Sequence, residues 1–302
     1  MKAAVLHEYG PPKNLKYEDM PDPVPAEGEV LVRIAAASIN PIDCKMRSGE
    51  AKENFSVEFP AILGRDLAGI VHEIGPGVTG FAPGDKVIAL TWKTYAERAV
   101  VPASELTLLP EGLDLAESAA LPLVTLTGEQ LITRGVQIQS GQTVLVTGAA
   151  GGVGRSAVWT AKKAGAIVIA GVHKSQLKEA AGIGADEIIA LDDSAAMQKL
   201  GFLDAFADTI GHETAEKLLG KVKSGGTFAS VLNVSSYAKL NPTLRIVYVR
   251  SVPDAASLRI LAEDVAAGHL KIPIDRMLPL DEAAAGQAAV EKGGIGKVLL
   301  LA

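Results

Sequence analysis

The chain has 302 residues, 48% of them apolar, with 29 Lys and Arg against 35 Asp and Glu for a formal net charge of −6. That length suggests about two domains, and an acidic balance with dispersed basic residues argues against a nucleic-acid or anionic-membrane surface. A single cysteine, Cys44, excludes an intramolecular disulfide and a multi-thiolate zinc site; with no apolar run of ~18 residues and an N-terminus MKAAVLHEYG that does not read as a signal peptide, the expectation is a soluble cytoplasmic protein.

The first hundred residues read as short strands between turns. EVLVRIAAASIN (29–40), AGIVHEIG (68–75) and VIAL (87–90) are strand-like, while GPGVTG (75–80) and APGD (82–85) are turn signals. Such a run predicts a sandwich or partly open barrel. Near residue 115 the pattern changes. VLVT (144–147) precedes a helix over 153–164, AIVIAG (166–171) precedes one over 175–182, and EIIAL (187–191), DAFADTI (204–210), GTFASVL (226–232) and LRIVYV (244–249) continue the series. Strands alternating with helices predict βαβ units and a parallel sheet. SLRILAEDVAAG (257–268) and DEAAAGQAAVEKG (281–293) then read as helices, and KVLLLA closes as a strand.

The stretch VLVTGAAGGVG carries the first chemical signal. Ala149, Gly151 and Gly154 stand at the three positions of G-x-G-x-x-G, with Ala150, Gly152 and Val153 between them. Ala149 is expected to keep the turn tight, Gly151 to let backbone approach a pyrophosphate, and Gly154 to let the helix pack on the strand. The helix N-terminus offers its N–H groups to phosphate. A strand before the turn and a helix after it are the context such a motif requires. A dinucleotide is therefore expected here. NAD sites carry an acid at the end of the second strand; this chain has GVHKSQ (171–176) instead, and its first acid is Glu179. His173, Lys174 and Ser175 are expected to meet a 2′-phosphate, which points to NADPH; the alternative is that Lys174 is simply solvated at a helix start, in which case NADH serves equally well.

The chain resembles the medium-chain dehydrogenase/reductase superfamily, and within it the zinc-free quinone oxidoreductases (zeta-crystallin-like) and alkenal/enone reductases. The resemblance rests on SINPIDCKMRSG (38–49), GRDLAGIV (64–71), PGDKV (83–87), TYAERAVVP (94–102), AALPLVTLTG (119–128), VTGAAGGVG (146–154), GADEII (184–189), DTIG (208–211) and the closing GKVLLL. It implies an α/β subunit with a GroES-like, β-rich catalytic domain (1–115 and 253–302) and a Rossmann domain with a doubly wound parallel sheet (116–252). It also implies a homodimer or homotetramer, with LRIVYV at the sheet edge. Zinc enzymes of the superfamily use Cys, His and usually a second Cys; aligned by motif, Asn40, Arg65 and Leu123 stand at those positions, so no catalytic metal is expected.

Without a Lewis acid, hydride addition to a quinone or an α,β-unsaturated carbonyl is the more accessible chemistry, because the acceptor delocalises the incoming charge. The protein then needs to position the acceptor and offer donors to the developing oxyanion. The resemblance implies that Asn40 and Lys45, in the NPxDxK stretch, line the cleft on the catalytic side, Lys45 reading alternatively as a surface residue or a partner of the nicotinamide ribose. Tyr95, after the loop TWKT, reads either as a third catalytic residue or as a structural tyrosine at a strand start. Many quinone reductases carry Tyr where this chain has Lys45, while alkenal-reductase-like members carry Lys. Thr127 is expected near the nicotinamide, with backbone groups of Val231 and Leu232 toward its carboxamide. Trp92 reads either as an apolar wall for a ring or as a packing residue. Asp43 with Arg47 reads as an ion pair, and Asp66 as a brace. A zinc-independent alcohol or aldehyde dehydrogenase, and a non-catalytic NADPH-binding protein of the crystallin type, remain as alternatives.

Overall fold

The structure is a computed structural model that describes residues 1–294 and 296–302, without the side chain of Ala238. In chain order its strands are β1 (Lys2–Leu6), β2 (Leu15–Asp19), β3 (Glu29–Ile39), β4 (Ala61–Ile62), β5 (Asp66–Ile74), β6 (Lys86–Leu90), β7 (Arg98–Pro102), β8 (Leu106–Leu108), β9 (Thr143–Thr147), β10 (Ile167–Val172), β11 (Glu187–Ala190), β12 (Leu203–Asp208), β13 (Val222–Ser230), β14 (Arg245–Tyr248), β15 (Ile274–Pro279) and β16 (Lys297–Leu301). Two compact units result: Met1–Leu123 with Pro253–Ala302, and Val124–Val252.

The first unit holds two sheets. One has the order β2-β1-β4; the larger runs β15-β16-β3-β5-β6-β8, with β7 also paired to β3. The returning strand β16 lies antiparallel to β3, with Val298 opposite Ile39. The end of the sequence thus completes a sheet begun near its start, and Lys297 arrives beside Asn40. Helix Pro41–Ser48 follows β3 directly. Proline at its first turn presets φ, and Gly49 closes it at φ 86.

The second unit is one six-stranded sheet, β11-β10-β9-β12-β13-β14, parallel throughout. Its strands are near-continuous apolar runs because helices cover both faces. Period-2 alternation divides them between two cores. Val144, Val146, Val168 and Ala170 face one cluster; Leu145, Ile169, Phe206 and Phe228 face the other. The order reverses between β9 and β12, and in such sheets the crevice at the strand carboxyl ends of that reversal is where ligands bind.

One expected helix is shorter than its sequence suggests. In place of 175–182, a 3₁₀ turn Lys174–Gln176 leads into Leu177–Ala180. Gly182 and Gly184 follow closely, and Gly184 sits at φ 82, which a continuing helix does not allow. No helix among the described residues is long and apolar enough to cross a membrane.

Candidate functional site

In the second unit, β9 ends at Thr147 and helix Gly152–Lys163 begins five residues later. The residue that makes the turn is Gly148, at φ 62, and not Ala149. A Cβ on Gly148 would lie 2.3 Å from Thr209 Oγ1. Ala149 is fully buried, its N–H donating to Gly171 O at 3.2 Å. Gly154 has the expected role: a Cβ there would sit 2.2 Å from Gly148 O, so only glycine lets the helix close on the turn. At Gly151 a Cβ would approach only Gly148 O, at 3.4 Å, which leaves space above the turn for a ligand. Ala150 is buried in the core beneath the turn, and Gly152 and Val153 open the helix. This cradle fits a pyrophosphate on geometry.

Asp208, at the end of β12, organises the neighbouring loops. It is fully buried and accepts from Thr147 Oγ1 at 2.8 Å, Ser230 Oγ at 2.7 Å, Ile210 N at 3.1 Å and Gly211 N at 3.0 Å. Ser230 Oγ in turn accepts from Leu232 N at 3.0 Å, and Val231 N donates to Asp208 O at 3.2 Å. One carboxylate therefore ties together the ends of β9, β12 and β13. The N–H groups of Val231 and Leu232 are used within this network, so of the backbone groups expected toward a carboxamide the carbonyl oxygens are the ones left to serve. Thr127 is buried, on helix Pro122–Gln130. In the sequence the only signal of Asp208 is its place at a strand end in DTIG.

At the end of β10 the structure brings together groups that lie apart in the sequence. His173, Lys174 and Ser175 are exposed there, with His173 Nδ1 2.8 Å from Ser175 Oγ. Asp192 and Asp193, just past β11, stand against them. Asp192 accepts from Lys174 N at 2.7 Å and lies 3.0 Å from His173 Nε2; Asp193 lies 3.8 Å from Lys174 Nζ. Both carboxylates lie two or three residues past Ala190, the last residue of β11, the strand next to β10.

In the first unit, Asp66 is fully buried and accepts from Ser38 Oγ, from Asn40 Nδ2 at 2.8 Å and from Leu123 N at 2.6 Å. Lys297 Nζ lies 3.5 Å from it and donates to Asn40 Oδ1 at 2.5 Å. The Asn40 amide is thus committed at both ends and braces the site instead of offering a donor to substrate. Tyr95, also expected to reach a substrate, is fully buried, and its hydroxyl donates to Asp43 Oδ2 at 2.9 Å. Asp43 is not Arg47's partner; Arg47 pairs with Glu291. Burial raises the Asp43 carboxyl to about 6, against the bonds from Asn40 N and Tyr95. Burial likewise pushes the Cys44 thiol up to about 12, which makes it an unreactive packed group. Burial lowers the Lys297 ammonium, and the nearby Asp66 opposes that shift.

Of the expected catalytic trio, Lys45 alone has its head group at the surface, 3.1 Å from Glu50 Oε1. Trp92 is partly exposed, with the Arg65 guanidinium 3.7 Å from its ring centre and Arg65 Nε donating to Thr91 O at 3.0 Å. The positions matching the zinc ligands thus hold a guanidinium, which has no lone pair to give, and an amide already bonded to Asp66 and Lys297. These side chains do not fit a catalytic zinc ion.

A β-rich unit completed by the C-terminal strand, and a parallel-sheet unit with a glycine turn at its switch point, define a dehydrogenase/reductase class. Residues 26–111 match the alcohol dehydrogenase GroES-like domain and residues 183–300 the zinc-binding dehydrogenase family. The chain is 31% identical to the mitochondrial NAD(P)H oxidoreductase RTN4IP1 of Mus musculus, over 97% of this chain and 87% of that one. It is 29% identical to an acryloyl-coenzyme A reductase of Sulfurisphaera tokodaii, over 99% of both. The solved quinone oxidoreductase from Coxiella burnetii superposes with a TM-score of 0.90 at 27% identity, over 100% of this chain and 99% of that one. The chain belongs to the medium-chain dehydrogenase/reductase family, as an NAD(P)H-dependent oxidoreductase.

Proposed function

We propose that the protein reduces a small electrophilic acceptor, an α,β-unsaturated carbonyl compound or a quinone, with NADPH and without a metal ion. The observation that carries this reading is the pair Asn40 and Arg65: where zinc relatives place ligands, this chain places a bonded amide and a cation stacked on Trp92. The similarity to an acryloyl-coenzyme A reductase and to a quinone oxidoreductase supports the same acceptor class. Lys45, in place of the Tyr of many quinone reductases, favours the alkene over the quinone.

When bound, the reduced nicotinamide supplies a hydride. The turn Gly148–Gly154 would hold the pyrophosphate, and His173, Lys174 and Ser175 would meet the adenosine ribose and its 2′-phosphate. Asp208 holds the loops after β12 and β13 so that Val231 and Leu232 present their carbonyl oxygens. Lys45 exchanges its exposed contact with Glu50, a weak tie in water, for the oxygen of the acceptor as that oxygen gains charge. Solvent returns the proton that completes the reduction.

The lone Cys44 suits the reducing cytoplasm. The edge strand β14, with Tyr248 49% exposed, suits pairing with a second copy in a homodimer. The deciding experiment follows NADPH absorbance with the purified, chelator-treated protein and an ortho-quinone or a simple enone. The expected result is turnover that survives chelation, faster with the enone. Tight NADPH binding with no turnover of either acceptor would sink the reductase reading, and activity that needs added zinc would sink the metal-free mechanism.

A further inference from the structure

We propose that Asp192 sets the cofactor preference of this enzyme, serving as the ribose-binding acid for NADH and opposing the 2′-phosphate of NADPH, so that both cofactors bind with comparable affinity. The proposal rests on the reading of the Gly148–Gly154 turn as the dinucleotide site. The first observation is topological. β10 and β11 are parallel neighbours with Val172 opposite Ala190, and Leu191 N donates to Val172 O at 2.8 Å. The segments after the two strands therefore emerge side by side, and residue 192 reaches the place where a dinucleotide enzyme keeps its ribose acid at the end of the second strand.

The second observation is what Asp192 does there. One carboxylate oxygen accepts the Lys174 N–H at 2.7 Å and the other lies 3.0 Å from His173 Nε2. These are donors that a 2′-phosphate would also seek. A phosphate must displace this internal anion, whereas a ribose 2′-hydroxyl donates to it. Asp193 adds a second negative charge that cannot easily withdraw, because it caps helix Ser194–Lys199 by accepting from Ala195 N at 2.9 Å and Ala196 N at 3.1 Å. Its other oxygen lies 3.8 Å from Lys174 Nζ. Arg155, at the start of the motif helix, does not redress the balance. It is bonded to Ala150 O at 2.8 Å and paired with Glu179 at 2.7 Å. One lysine and a histidine therefore face two carboxylates, so what a 2′-phosphate gains at Lys174 and His173 is offset by repulsion, while ribose hydroxyls find acceptors, and neither cofactor is strongly favoured.

The test is equilibrium binding of NADPH and of NADH to the full chain, read by the fluorescence of the bound nicotinamide, so that no acceptor is required. The wild type is expected to bind the two within about tenfold of each other. Asp192→Asn keeps an acceptor for Lys174 N and removes the charge. It is expected to tighten NADPH and weaken NADH, moving their ratio by about tenfold, the scale of one charge-assisted hydrogen bond. Lys174→Ala is the companion variant and weakens NADPH alone. If Lys174→Ala selectively weakens NADPH while Asp192→Asn leaves the ratio unchanged, the strand-end site stands and the role of Asp192 falls. A ratio untouched by both variants overturns the site itself. A wild type that binds NADPH a hundredfold or more tighter than NADH overturns the proposal directly.

Discussion

Asp66 in the first unit and Asp208 in the second are both fully buried carboxylates, and they are held by different kinds of partner. Asp66 faces the Lys297 ammonium, the Asn40 amide and the Ser38 hydroxyl, so its charge is answered by a buried charge. Asp208 is held by four neutral donors, two hydroxyls and two backbone N–H groups, each on a different part of the strand ends. The first arrangement fixes where helix Pro41–Ser48 begins and where β16 docks. The second fixes the shape of the loops beside the glycine turn. Substitutions near Asp66 should therefore act on stability and its pH dependence, and substitutions near Asp208 on cofactor affinity.

The largest effect is expected at Lys297. Lys297→Met leaves Asp66 charged and Asn40 Oδ1 without its donor, in a region closed to water. Removing one partner of a buried pair costs about 3–5 kcal/mol, measurable as a shift of the urea midpoint. Lys297→Met with Asp66→Asn should recover much of that loss, since the orphaned charge goes too. A double variant no more stable than the single one would show that the lysine acts by packing and not by charge.

Asp43 breaks the comparison in a second way, through pH. Its folded pKa of about 6 lies above the ordinary aspartate value of 3.8, because burial disfavours the charged form. The unfolded chain gives up its proton first as pH rises, so the folded state binds more protons across that window. The stabilisation is fully present below the unfolded value and is lost as pH rises through about 6. That rise corresponds to about 3 kcal/mol. Asp43→Asn can still accept from Asn40 N and Tyr95 and lacks the ionisation. Its stability relative to wild type should improve by up to that amount between pH 4 and pH 7. A constant difference across the range would mean that Asp43 is already ionised in the fold at low pH.

Thr147→Val probes the other network. It removes one hydroxyl from Asp208 and from Thr209 N, which donates to it at 3.1 Å. A cost of about 1–2 kcal/mol in stability follows from the lost buried bonds. The more telling readout is a several-fold rise in KM for the cofactor with kcat nearly unchanged, because the loops are re-aimed while the chemistry is not. Equal loss in both parameters would place Asp208 in the reaction and not in positioning.

The sequence made the strands of both units readable because apolar, β-branched runs between glycines leave few alternatives. Gly154 was readable because its spacing is that of a known turn. What stayed hidden depended on distant pairing. Nothing in TYAERAVVP says that the Tyr95 hydroxyl will end on Asp43, which lies 52 positions earlier. Asn40 sits in a stretch that invites a catalytic role, and its amide is claimed by Lys297, 257 positions later, only because β16 returns beside β3. Asp192 comes beside GVHKSQ only once β10 and β11 are aligned, a register that strand propensities do not set. The tight turn went to Gly148 instead of Ala149 because the motif's numbering starts one residue late for the backbone that needs a positive φ.

The smallest expected effect separates Lys45 from this buried machinery. Its ammonium lies 3.1 Å from Glu50 Oε1, and both side chains are substantially exposed, 41% and 66%. An exposed pair of this kind contributes about 0–1 kcal/mol, so Glu50→Ala should leave the unfolding midpoint almost where it was. Freed of its partner, Lys45 becomes more available to the acceptor, and kcat/KM should hold or rise slightly. Lys45→Ala should be equally mild on stability yet lower kcat/KM by about tenfold, the value of one donor to a developing oxyanion at an open site. Because neither variant disturbs the fold, their divergence isolates chemistry from packing in a way that no change at Asn40 or Tyr95 can. Identical kinetics for the two alanine variants would remove Lys45 from the reaction and return it to the surface.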